Sequence, residues 1–185
     1  MPSSPSLCSL AAASLAALGL LGCEGFGQGG HGDVPGEWLG RYAVIAKIEH
    51  SSCGPGALGA TDVWEFEMEL SRGDRELFWL HAEQVVAGRL ASDGVGFTFE
   101  SRSQVPVVEP GPGRSGCTIV RSDHADGTLE ASGETISGFE GRLRYGYVPT
   151  SGSDCSPVLL VEGGFAALPC EIAYRMEAVR TAKER

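Results

Sequence analysis

The segment Asp123-His124-Ala125-Asp126-Gly127 places two carboxylates and an imidazole within five residues, a set that a hard cation can take. Asp and Gly also answer to the backbone geometry of a hairpin turn alone, and we read a turn. Ser115 stands in Gly-Arg-Ser-Gly-Cys, a loop before a strand and not the strained strand-to-helix elbow of a nucleophile. His31, His50, His81 and His124 are scattered, and His50 three residues before Cys53 is a weak ligand pair. The chain has no Walker loop, no H-E-x-x-H and no G-x-G-x-x-G opening a helix. Arg72-Gly73-Asp74 spells an integrin-binding tripeptide, but a turn between two strands needs such residues anyway. No nucleophile, base and orienter can be assembled, so no catalytic residue, cofactor or metal is predicted.

Charge narrows the partners. The 185 residues hold 14 basic and 24 acidic side chains, a formal net charge of −10. A nucleic-acid surface wants a basic stripe, so nucleic acid is excluded as a partner. An acidic domain also avoids anionic lipid headgroups and stays soluble by self-repulsion.

The N-terminus supplies an address. Leu7 to Leu21 is an uncharged run of Leu, Ala, Ser, Gly and one Cys, too short to span a bilayer with ease and of the length of a secretory h-region. Leu20-Leu21-Gly22-Cys23 ends it, and glycines follow at once. This tetrapeptide resembles the lipobox of bacterial lipoproteins, although no Lys or Arg precedes it. The resemblance implies cleavage before Cys23, a diacylglyceryl group on its thiol and, with Glu24 rather than Asp next, the outer membrane. The alternative is an ordinary signal peptide cut nearby, with Cys23 left as a thiol. The expected layout is a signal peptide over 1–22, a lipidated cysteine and Gly-rich tether over 23–36, and one domain over 37–185. One acyl chain binds a membrane reversibly and two or more hold firmly, so the anchor needs no further membrane contact from the domain.

An exported chain meets an oxidising compartment. Cys8 leaves with the signal and Cys23 is spoken for, so Cys53, Cys117, Cys155 and Cys170 remain, an even number. None lies in a C-x₂-C pair, so two disulfides are expected rather than a metal site.

The elements come from periodicity. Trp64, Phe66, Met68 and Leu70 alternate with Val63 and three glutamates; Tyr42, Val44, Ala46 and Ile48 share one parity, as do Phe139, Leu143, Tyr145 and Tyr147. A period of two marks half-buried strands. Arg72-Gly73-Asp74, Asp93-Gly94, Asp126-Gly127 and Ser132-Gly133 read as turns between them. Many short strands with 27 glycines mean an all-β fold. A small antiparallel barrel of about eight to ten strands is expected, with a β-sandwich as the alternative. One long strand from Glu76 to Leu90 gives eight strands; a reversal near Glu83 to Val86 gives nine. The second count puts Cys53 and Cys117 at one end and Cys155 and Cys170 at the other, so Cys53–Cys117 and Cys155–Cys170 are the expected bridges.

Gly36-Glu37-Trp38, followed by Leu39-Gly40-Arg41-Tyr42, resembles the G-x-W that opens the first strand of lipocalins, and Arg180 stands where that family packs an arginine on the Trp. Thr61-Asp62-Val63 lies too early for the family's T-D-Y and lacks the Tyr. A lipocalin-like barrel implies a small apolar ligand or lipid inside, lined by Trp64, Phe66, Phe97, Phe99, Tyr145 and Tyr174. The alternative is an envelope protein that meets a protein partner through its outer face or through the loop Pro106 to Gly116. Replacing Cys23 with Ala should move the protein from the membrane fraction to the soluble fraction; full retention on membranes would refute the lipid anchor.

Overall fold

The computed structural model describes residues 34–55, 57, 60–81, 84–159 and 164–181; residues 1–33, Cys23 among them, lie outside it. Eight strands follow in chain order: β1 (Glu37–Ser51), β2 (Val63–Arg72), β3 (Glu76–His81), β4 (Gln84–Leu90), β5 (Gly96–Val108), β6 (Cys117–Ser132), β7 (Thr135–Pro149) and β8 (Cys170–Arg180). A 3-10 turn, Ser156–Val158, lies in the loop between β7 and β8. Each strand pairs antiparallel with the next, and β8 pairs with β1 to close an all-β barrel.

The strand count resolves in an unexpected way. The chain does reverse between β3 and β4, with His81 and Gln84 facing each other in register. Asp126-Gly127, however, is no turn: β6 runs straight through it, with Asp126 opposite Arg142 and Gly127 opposite Gly141. One reversal gained and one lost leave eight strands, an even number that closes with every pair antiparallel. The glycine serves close approach instead. A Cβ on Gly127 would stand 2.6 Å from the Phe97 ring and run into the Glu140 carbonyl. Here the backbone of β6 passes against a ring inside the barrel and a strand beside it.

The period-two pattern sorts the side chains. Tyr42, Met68, Leu70, Leu77, Phe139 and Met176 are almost fully buried and fill the end where β1 begins and β8 finishes. The Arg180 guanidinium lies 5.9 Å from the centre of the Trp38 ring at this end, and the Trp38 indole donates to Glu69. Burying one large apolar side chain is worth about 1.5–3 kcal/mol. An exposed ion pair is worth about 0–1 kcal/mol, so pairs such as Arg41–Glu69 at 2.9 Å on the outer wall contribute little beside the core.

The disulfides are Cys53–Cys170 and Cys117–Cys155, with Cα atoms 4.9 and 4.7 Å apart. The expected Cys53–Cys117 and Cys155–Cys170 pairs are thus corrected. In an eight-stranded up-and-down ring, β1, β5 and β7 finish at the end where β2, β6 and β8 begin, so all four cysteines share that end. Strand adjacency then decides. Cys53 follows β1 and Cys170 opens β8, its neighbour across the closure; Cys117 opens β6 and Cys155 follows β7, its neighbour. The bridges span 117 and 38 residues of sequence, for which chain-entropy arguments give about 5 and about 4 kcal/mol taken singly. Non-reducing peptide mapping should recover the Cys53–Cys170 and Cys117–Cys155 peptides. Replacing Cys53 and Cys170 together with Ala should lower the unfolding free energy by about 2–5 kcal/mol in denaturant titrations.

Candidate functional site

The two ends of the barrel differ. At the cysteine end, the loops after β1 and β7 are tied together: the Ala166 amide donates to the Cys53 carbonyl at 2.7 Å. Phe165 is buried against Tyr147, with ring centres 5.5 Å apart. These loops cover the mouth over β1, β7 and β8. Over β2 to β6 the mouth opens into a cavity of about 190 Å³.

One wall of the cavity is aromatic. Trp64 and Phe66 come from β2, Trp79 and His81 from β3, and alternation turns all four inward. Trp64 and Phe66 stack at 4.3 Å with 30° between their planes. Phe66 and Trp79 are nearly parallel, 15° apart in plane and 6.1 Å between centres. Phe99 of β5 meets Trp79 edge-on at 5.5 Å. His81 closes the rim, and its Nδ1 lies 2.9 Å from the Glu67 carbonyl oxygen. A carbonyl only accepts, so Nδ1 carries the proton and Nε2 of the neutral ring remains an acceptor.

The facing wall is polar. Arg121 and Asp123 lie on β6 at the inward parity of Ile119 and Ala125, and both line the cavity. Arg121 Nε donates to Asp123 Oδ1 at 2.7 Å, and its guanidinium lies 4.7 Å from the centre of the Tyr145 ring. Burial works against the Arg121 charge, but the hydrogen bond and the charge of Asp123 outweigh it, so its pKa is raised. Burial also raises the Tyr145 phenol well above the usual tyrosine range, with Arg121 opposing. Burial raises Tyr42, Tyr147 and Tyr174 in the same sense.

The structure divides the aromatic set expected from the sequence. Trp64, Phe66, Phe99 and Tyr145 line the cavity. Phe97 sits deeper, packed on Phe99 and Phe139, and Tyr174 packs edge-on against Tyr145 behind the wall. His124 faces outward, with Nδ1 3.3 Å from Glu100 and Nε2 3.1 Å from Asp126, which also holds Arg144 at 2.8 Å. The segment Asp123 to Gly127 is therefore split by the sheet: Asp123 points in, while His124 and Asp126 point out. Among the described residues no group of three His, Cys, Asp or Glu side chains could hold a metal ion. Arg121 and Trp79 are not singled out by the sequence, and Asp123 reads there as part of a turn rather than as a cavity residue. The turn read at Asp126-Gly127 cut the alternation Cys117, Ile119, Arg121, Asp123, Ala125 short of its strand.

Set against protein-family models, curated proteins and solved structures, the chain matches none, and no enzyme family is indicated.

All four tyrosines of the chain have raised pKa values, which fixes a sign. The unfolded chain loses phenolic protons near the ordinary tyrosine pKa of about 10, while the folded chain keeps them. Their contribution to stability is therefore complete below about pH 10 and is lost as pH rises through the folded values. Thermal unfolding followed from about pH 8 to pH 11 should show a falling midpoint above about pH 10. Tyrosinate absorbance that reached four residues before any unfolding would contradict the burial of these phenols.

Proposed function

We propose that this chain is a lipid-anchored protein of the bacterial envelope, held at the outer membrane through Cys23, whose barrel binds a small apolar ligand in its open mouth. The observation that carries the reading is the cavity of about 190 Å³ walled by Trp64, Phe66, Trp79 and Phe99. Trp64, Phe66 and Trp79 are only partly buried there, above a buried Phe99, and such apolar surface at a mouth awaits a cover. The lipobox-like Leu20 to Cys23 supports the anchor, and two disulfides suit an oxidising compartment. The role is binding and not catalysis.

A second reading has its own observation. β5 pairs with β4 only from Phe97 to Phe99, so from Glu100 to Pro106 it is exposed and pairs on its β6 side alone among the described residues. Such an edge can accept a strand from an envelope protein partner, and Pro106 and the charges of Glu100 and Arg102 blunt it against indiscriminate pairing.

Native mass spectrometry on the protein, produced with its own leader and released gently from membranes, separates the two. A bound small molecule supports the carrier reading, and its mass identifies the ligand. Ala125 is buried on the floor of the cavity. Replacing it with Leu should remove the adduct at a stability cost of about 1–3 kcal/mol. Bare protein from native membranes would turn the assignment to the β5 edge.

A further inference from the structure

We propose that the mouth takes an uncharged planar ring whose edge carries an N–H beside a C=O, as in a cyclic amide. This rests on the mouth being a ligand site and adds what the ligand must be.

Shape comes first. Trp64, Phe66 and Trp79 stack along β2 and β3 with planes inclined by only 30° and 15°, so this wall is a run of near-parallel rings. A planar ring suits such a wall best, because it can lie parallel to these rings and continue the offset stack. A cavity of about 150 Å³ is known to hold benzene, so about 190 Å³ takes one ring within and lets a second reach the open rim.

Polarity comes second. Arg121 spends Nε on Asp123 Oδ1. Among the described residues, its two Nη groups and Asp123 Oδ2 have no hydrogen-bond partner in the protein, and both side chains line the cavity. The pair therefore offers donors beside an acceptor, and its charges cancel. A charged ligand gains from one member what it loses to the other. A neutral edge with an acceptor next to a donor satisfies both. The net charge of −10 further disfavours an anion. His81 Nε2 adds an acceptor at the rim, so a second N–H on the ring finds a partner too.

Three probes of one shape decide it: quinolin-2-one with the N–H/C=O edge, naphthalene without it, and 2-naphthoate with an anionic edge. Quenching of the Trp64 and Trp79 fluorescence reports binding to the intact protein. Quinolin-2-one should bind about tenfold tighter than either of the others, the worth of one charge-assisted hydrogen bond. Asp123→Asn and Arg121→Gln should each weaken quinolin-2-one about tenfold more than they weaken naphthalene. Near-UV circular dichroism checks that both fold; if either does not, the three-probe ranking on the unaltered protein decides. Equal binding of naphthalene and quinolin-2-one overturns the amide-edge proposal while the apolar site stands. Tightest binding of 2-naphthoate also overturns it, by making Arg121 an anion receptor. If none of the three binds, the ligand site itself is refuted.

Discussion

Closure of the sheet between β1 and β8 is the constraint on which the rest depends. Nine residue pairs from Tyr42–Arg180 to Ser51–Ile172 join the first strand to the last and leave the ring without an open seam there. Once closed, each strand has an inside and an outside, and a period of two in the sequence becomes a radial coordinate. Tyr42, Phe139 and Met176 go to the axis, while Glu49, Arg142 and Arg175 form an ion-pair cluster on the surface, with arginine nitrogens 3.0 and 2.9 Å from the Glu49 carboxylate. Those two arginines hold the Glu49 carboxyl below the usual carboxylate range, chiefly through the Arg175 hydrogen bond.

The same closure makes the ends of the barrel unequal. An up-and-down ring with an even number of strands brings its first and last residues to one end, and here that end is filled and capped by Trp38 and Arg180. The other end receives the long loops and both disulfides. Cys53–Cys170 spans the closing pair of strands, so the covalent bond and the β1–β8 ladder brace the same joint. The loops it holds cover only part of the mouth. Among the described residues, what stays uncovered is the aromatic wall of β2 and β3 facing the Arg121–Asp123 pair of β6. A rigid rim with one open side is the arrangement expected of a site positioned by its scaffold.

Burial of an ion pair inside a barrel mouth costs desolvation, and hydrophobic residues of similar volume often serve stability as well or better. The pair in this mouth keeps 41% and 27% of its side-chain exposure, so that cost is partial. It also fixes a donor and an acceptor at a defined place opposite the rings. Stability does not require that placement, and the proposed ligand site would use it.

Alternation in the sequence was enough to identify an all-β chain and to assign an inward parity to Tyr42, Trp64, Phe66 and Phe139, and the even set Cys53, Cys117, Cys155 and Cys170 was enough to expect two disulfides. Those features are local: a strand's period and a residue's chemistry do not depend on distant partners. What tertiary structure decided was everything set by which strand lies beside which. The disulfide pairing followed adjacency around the ring rather than proximity in sequence or the parity of ends. Gly127 looked like a turn because glycine permits one, whereas its role is to let β6 pass against Phe97 and the Glu140 carbonyl, contacts between residues far apart in the chain. Arg121 and Asp123 became a site only when that uninterrupted strand turned them toward Trp64, Phe66 and Trp79. Residue types and their spacing supplied the parts of the mouth; the closed ring decided which of them meet.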